Sequence, residues 1–135
     1  MQNKVGIIRN GKDLAEAVED LKELEAKLPQ VKAHGSSQYN PGWHEAISLH
    51  SLIVTSKLVA NAALLREESR GGHTRLDFEG EREEWSKYNI VVRKGKDGEV
   101  EIEKVERSAP DPELERIARS SIEDLDKEVA AEKGL

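Results

Sequence analysis

The sequence predicts a mainly α fold: an antiparallel helical bundle with a small β-hairpin and a C-terminal helical tail. Three observations predict it. Leu14, Ala17, Val18, Leu21, Leu24 and Leu28 recur at helical spacing and form one apolar stripe. Residues 45–69 include Ala46, Ile47, Leu49, Leu52, Ile53, Val54, Leu58, Val59, Ala60, Ala62, Ala63, Leu64 and Leu65, which cover nearly the whole circumference of a helix. Two β-branched runs, around Ile90 and around Val100, flank an Asp97-Gly98 turn signal and read as a hairpin.

Taken in order, Val5, Ile7 and Ile8 read as the last turns of an element that began earlier, broken at Asn10-Gly11. Asn10 and Asp13 are start signals for the first amphipathic helix, and Pro29 stops it. Residues 34–44 are rich in Gly, Ser, Asn and Pro and read as a loop, in which Pro41 opens a short helical turn. The long helix over 45–69 is apolar all round, which calls for burial all round. One amphipathic partner and a hairpin cannot supply that, so it packs against a larger body or a second copy of itself; composition favours neither. Residues 81–89 read as a short helical turn. Residues 108–113 read as a linker, and 112–133 as a helical tail with Leu114, Ile117, Ala118, Ile122, Leu125 and Val129 on one face. Ser121 and Asp124 form a capping box that divides the tail. The organisation is therefore a bundle over 1–88 that includes a distinctive turn at 66–78, a hairpin over 89–105 packed on it, and a linker and tail over 106–135.

Composition narrows the function. A chain of 135 residues is one domain, or one domain with a tail, and is long enough for a genuine core. It has no cysteine, which excludes a disulfide framework and an iron–sulfur cluster on this chain and suits a cytoplasmic protein. The formal net charge of −6 opposes general nucleic-acid binding, and 4% aromatic content offers no stacking platform for bases. No apolar run approaches the length needed to span a bilayer, and the first residues do not read as a secretory leader.

The chemistry-bearing patterns are sparse. No G-x-G-x-x-G follows a strand and no phosphate-loop motif is present. His34, His44, His50 and His73 lack metal-ligand spacing. Ser69, His73 and Asp77 are four apart, but Gly71-Gly72 breaks any helix between them and no nucleophile elbow surrounds Ser69, so they do not read as a triad. Arg66 and Arg70 are placed on the last turn of the long helix, where its dipole favours cations, with Gly71-Gly72 as the left-handed stop. Glu67, Glu68 and Asp77 stand close enough to pair with Arg66, Arg70 and Arg75. An internally salt-bridged turn, or one that pairs with a neighbouring domain, therefore outranks an anion site.

That stretch, ALLREESRGGHTRLDF, resembles the R-x-E-S-R-G-x-H-x-R-x-D-F/Y motif of the succinate dehydrogenase/fumarate reductase flavoprotein subunits. Two further stretches, MQNKVGIIRNGKDLAEAVEDL and QYNPGWHEAISL, resemble segments of the same family in the same order, so the likeness covers residues 1–105. It departs from the family where Glu79-Gly80 replaces the usual proline after the D-F/Y pair. The resemblance implies a spectrin repeat-like three-helix bundle that is the C-terminal domain of a longer polypeptide, with its first helix cut short. It implies FAD in the parent and no cofactor on this chain. The implied partners are the FAD-binding and capping domains of the same polypeptide and, through the parent complex, a membrane anchor and an iron–sulfur subunit. The parent would lie on the cytoplasmic face of the membrane. The family's catalytic arginines and flavin-linking histidine map to none of these residues. What maps is the turn, with a docking and assembly role for Arg66, Glu68, Ser69, Arg70, Gly71, His73, Arg75 and Asp77. On that reading Arg70 is dispensable to the isolated fold. The alternatives are the C-terminal domain of an L-aspartate oxidase, and a free-standing interaction module that homodimerises through the long helix.

Overall fold

The structure is a computed structural model and describes residues 1–133. It is mainly helical with a small antiparallel sheet, as the sequence predicts. Helix α1 (Gly11–Lys27) starts where Asn10 accepts the Asp13 backbone N–H on its side-chain oxygen, at 2.8 Å. A 3-10 turn over Leu28–Gln30, with Pro29 inside it, ends the run. Helix α2 (Pro41–Leu65) follows the loop and lies antiparallel to α1, so that Leu14 near the start of one meets Ala60 and Ala63 near the end of the other.

These residues, with Val5, Ala17, Val18 and Leu21, form the core. The alanines of α2 let the two helices approach closely, and the larger residues of α1 fill the space between them. The stripe of α1 is buried from Leu14 to Leu21 and then opens: Leu14 is fully buried, whereas Leu24 is 49% exposed. Lys57, on the covered side of α2, is buried and donates to Glu25 of α1 at 2.6 Å, which neutralises its charge inside the helix pair.

Strands β1 (Ile8–Arg9) and β2 (Thr74–Arg75) pair in parallel and tie the start of the chain to the segment beyond α2. Helix α3 (Glu83–Ser86) is one turn that buries Trp85. Strands β3 (Tyr88–Lys94) and β4 (Val100–Glu106) form the hairpin, with Gly98 at φ +89 in its turn, a left-handed conformation that suits glycine. The hairpin lies along α2, and Glu99 comes within 3.9 Å of Lys57. Helices α4 (Pro112–Arg119) and α5 (Ile122–Lys133) form the tail. Ser121 accepts the Asp124 N–H at 3.1 Å and donates to its carboxylate, which is the divided tail the capping box predicts. The last two residues of the tail lie outside the described residues.

Four expectations are corrected. Residues 1–5 form a single turn closed by Val5 N–H on the Met1 carbonyl, and residues 8–9 are a strand rather than helix. Pro41 opens the long helix itself: Asn40 caps it by accepting the Trp43 N–H, and proline tolerates the first position because it has no N–H to leave unpaired. The helix ends at Leu65, not at residue 69, because its last carbonyls are taken by a side chain from farther along the chain. Finally, α2 is long and apolar enough by length and composition to cross a membrane. Its polar residues interrupt the apolar run but leave the average high.

Core position sets the expected mutational costs. Leu14→Ala should lower stability by about 2–5 kcal/mol, whereas Leu24→Ala should cost less than about 1 kcal/mol because half of the side chain is already in water. Urea unfolding of the two variants, compared at equal m-value, checks the ranking.

Candidate functional site: the double helix clasp

The turn after α2 brings together the ends of two helices. An α-helix leaves its last carbonyls and its first N–H groups without intrahelical partners. Arg75 on β2 is 2% exposed, and its Nη1 donates to the carbonyls of Ala63, Leu64 and Arg66 at 3.0, 3.1 and 3.1 Å. A full positive charge therefore sits on the negative end of α2. The other edge of the same guanidinium forks onto Asp77: Nε to Oδ1 at 2.8 Å and Nη2 to Oδ2 at 2.8 Å. Asp77 Oδ2 in turn accepts the N–H of Gly11, the first residue of α1, at 2.9 Å. One ion pair thus caps the C-terminus of α2 and the N-terminus of α1 together.

Gly11 is required by this approach. A Cβ there would lie 2.9 Å from Asp77 Oδ2 and 3.2 Å from Arg75 Nη2. The Arg75 guanidinium beside Asp77 holds that carboxyl well below the usual carboxylate range, and the Gly11 N–H adds to the effect.

A second ion cluster sits beside the first. Glu68 is fully buried. It accepts from Arg66 Nη1, from Arg70 Nε and Nη2 at 3.1 Å each, and from the Arg82 backbone N–H at 3.0 Å. Burial pushes the Glu68 carboxyl up, but these donors together outweigh it and hold it down at about 2. The carboxylate joins the end of α2 to the start of α3, where the Arg66 guanidinium and the Lys104 ammonium both stand over the Trp85 ring, 5.4 and 3.7 Å from its centre. Arg70 extends the cluster to Glu81 at 2.8 Å.

The remaining motif residues shape the loop. Ser69 Oγ accepts the Arg75 N–H at 2.8 Å and donates to the Phe78 carbonyl at 2.8 Å. Arg70 and His73 exchange backbone hydrogen bonds across Gly71-Gly72, with Gly71 at φ +57. His73 accepts from Arg9 Nη1 on Nδ1 at 2.6 Å and donates from Nε2 to the Arg66 carbonyl at 3.2 Å. Burial lowers its pKa, the Arg66 carbonyl opposes this, and the charges of Arg9, Arg75 and Arg66 lower it further; the net shift is downward.

All eight residues singled out from the sequence thus occur in one cluster, and their roles within it are now distinct. Arg66, Glu68 and Arg70 form one network, Arg75 and Asp77 the other, while Ser69, Gly71 and His73 hold the loop. Ser69, His73 and Asp77 do not contact one another as a triad, since each is engaged with a different partner. Arg66 is the cap residue of α2 and Arg70 lies beyond it, so neither owes its place to a last helical turn. Gly71-Gly72 closes a tight hairpin instead of stopping the helix. Arg70 is an internal partner of a buried carboxylate, a contact that the docking expectation did not include. Gly11 and Arg9 escaped the sequence reading. The Asn-Gly start signal beside Arg9 marks the place but not the contact. Among the described residues no group of three His, Cys, Asp or Glu could hold a metal ion.

Removing one partner of the clasp strands the other. Arg75→Met should cost about 3–5 kcal/mol, and Arg70→Ala about 1–3 kcal/mol because Arg66 stays on Glu68; chemical unfolding of both checks the order. The pH dependence follows the depressed carboxyls. Glu68 titrates at about 2 folded against 4.5 in its ordinary state. Its contribution is therefore complete above about pH 4.5 and is lost as pH falls through about 2. Asp77 acts in the same direction. Unfolding free energy measured from pH 6 to 2 should fall, and Glu68→Gln should flatten the slope.

Comparison with known proteins places this chain in a family. The family described as "Fumarate reductase flavoprotein C-term" matches residues 1–128. The fumarate reductase (CoM/CoB) of Methanothermobacter marburgensis has a chain that is 35% identical over 94 residues, 70% of this chain and 17% of that one. The L-aspartate oxidase of Synechocystis is 31% identical over 105 residues, 67% of this chain and 19% of that protein. A solved structure of the Mycobacterium smegmatis Sdh1 complex in the apo form superposes with a TM-score of 0.75 at 36% identity, covering 93% of this chain and 23% of that one. The chain thus spans less than a fifth of the curated relatives it matches. It belongs to the family of C-terminal domains of succinate dehydrogenase and fumarate reductase flavoprotein subunits.

Proposed function

We propose that this domain is the C-terminal support of a longer FAD-dependent polypeptide that interconverts succinate and fumarate, and that its role is docking and assembly. The observation that carries this reading is where the polar groups of the motif go. Arg75, Asp77, Glu68 and Ser69 spend their hydrogen bonds on helix ends, on each other and on the loop backbone. Groups fixed in this way hold a shape and are not poised to move protons. The Gly71-Gly72 loop follows the C-terminus of α2 and does not open a helix, so it lacks the helix N-terminus that cradles a phosphate. FAD and substrate accordingly belong to FAD-binding and capping domains elsewhere in the polypeptide.

The face that docks is the uncovered side of α2. Ile47 is 56% exposed, Leu52 61% and Val59 42%, on a helix whose other side already packs on α1 and the hairpin. A run of exposed apolar side chains on a well-formed helix is a surface waiting for a partner. In the parent that partner is the FAD-binding domain. A membrane anchor and an iron–sulfur subunit join through the complex, on the cytoplasmic face of the membrane.

Leu52→Glu tests the reading. In the longer polypeptide it should reduce the yield of soluble, flavin-loaded protein severalfold. In the isolated chain it should leave the melting temperature nearly unchanged, because that side chain is already in water. The isolated chain should sediment as a monomer with a flat visible spectrum. A defined dimer that Leu52→Glu converts to monomer would instead establish the free-standing module.

A further inference from the structure

A groove of about 490 Å3 opens between β1, the C-terminal half of α2 and β3. Arg9, Arg66 and His73 line it together with Asn89, and Val59 and Ile90 supply apolar wall. Its charge is not balanced. Arg75 is matched by Asp77, Arg70 bonds Glu81, and Arg66 and Arg70 share Glu68. Four guanidinium groups, counting Arg9, thus face three carboxylates.

The surplus falls on Arg9. It donates to the Gly6 carbonyl and to His73 Nδ1, both neutral acceptors, and among the described residues no carboxylate lies within ion-pair distance of it. Burial pulls its pKa down, the effect expected of a cation that has lost water without gaining an anion. His73 cannot supply the missing charge. Its neutral ring is held by the Arg66 carbonyl on one side and by Arg9 on the other. Arg9, Arg66 and Arg75 all bear on that ring with the same sign, so the groove mouth is a positive field.

We infer that this groove receives the carboxylate of an Asp or Glu side chain from an upstream segment of the same longer polypeptide, paired with Arg9. The inference rests on the docking reading and names the contact that fixes its register. Arg9 Nε and Nη1 are engaged and Nη2 makes no hydrogen bond among the described residues, so Nη2 is the donor a carboxylate would take, and the apolar wall suits the residues beside it in a peptide. The groove is continuous through Val59 with the uncovered side of α2, so one segment covers both. A partly buried charge pair sets alignment more sharply than apolar contact does, because a shift of register leaves both charges unpaired.

The test uses the full-length polypeptide with Arg9→Lys, which keeps the cation and adds an amine. A carbodiimide couples an amine to a carboxylate only when the two are in contact. The expected result is a cross-linked peptide joining residue 9 to an Asp or Glu outside residues 1–135, present in R9K and missing in the wild type. Asn89→Lys, on the opposite side of the groove and without side-chain bonds to lose, gives an independent attachment point. A long-arm lysine cross-linker applied to the wild type reads docking separately. Long-arm links to the upstream region, combined with no carbodiimide product in either variant or a product that ends on Glu68, would overturn the groove contact and leave docking intact. Absence of both kinds of link would overturn both.

Discussion

The rest of the structure depends on one ion pair. Two antiparallel helices joined by a 13-residue connection have ends that splay unless something closes them, and their apolar contact here is small because α2 meets α1 with alanines. Arg75 and Asp77 close them by opposite charges at opposite dipole ends, with one side chain on three carbonyls and the other on an N–H. The geometry is demanding: a planar donor fork, a short carboxylate and a helix start without a Cβ. Each requirement fixes one residue type, and together they explain why Arg75, Asp77 and Gly11 stand where they do.

The buried Glu68 has a different task. A carboxylate at zero exposure is destabilising unless its lone pairs are filled, and here two arginines and a backbone N–H fill them. Its benefit is specificity of direction. The chain must leave α2 at Arg66 in an extended conformation and turn inward for Glu68 to reach these donors, and that departure carries Arg75 back onto the helix end.

Local patterns were legible in the sequence, and long-range contacts were not. The stripe of α1, the Asn10 cap, the hairpin and the Ser121 division of the tail follow from spacing and from contacts a few residues long. The end of α2 does not. Residues 66–69 continue an apolar helix with good helix formers, and nothing local forbids a further turn. What stops it is Arg75, nine residues beyond Arg66, competing for the carbonyls. The motif residues could be gathered from the sequence as one site because they are close along the chain, yet Gly11 and Arg9, which complete it, are more than 60 residues away. The failure of the α1 stripe at Leu24 has a related cause: periodicity tells which face is apolar, not how much of that face a neighbour covers.

The parallel pairing of β1 with β2 has a consequence for the order of events at the ribosome. Gly11 and Asp77 are 66 residues apart. At roughly 5–20 residues per second, the chain is extended for roughly 3–13 s between the synthesis of one and of the other. During that interval α1 has its cap from Asn10 but not its clasp, and α2 emerges with most of its apolar circumference uncovered. The nascent domain is therefore at its most adhesive just before its own fastening arrives, and whatever shields α2 in the cell has to act within those seconds.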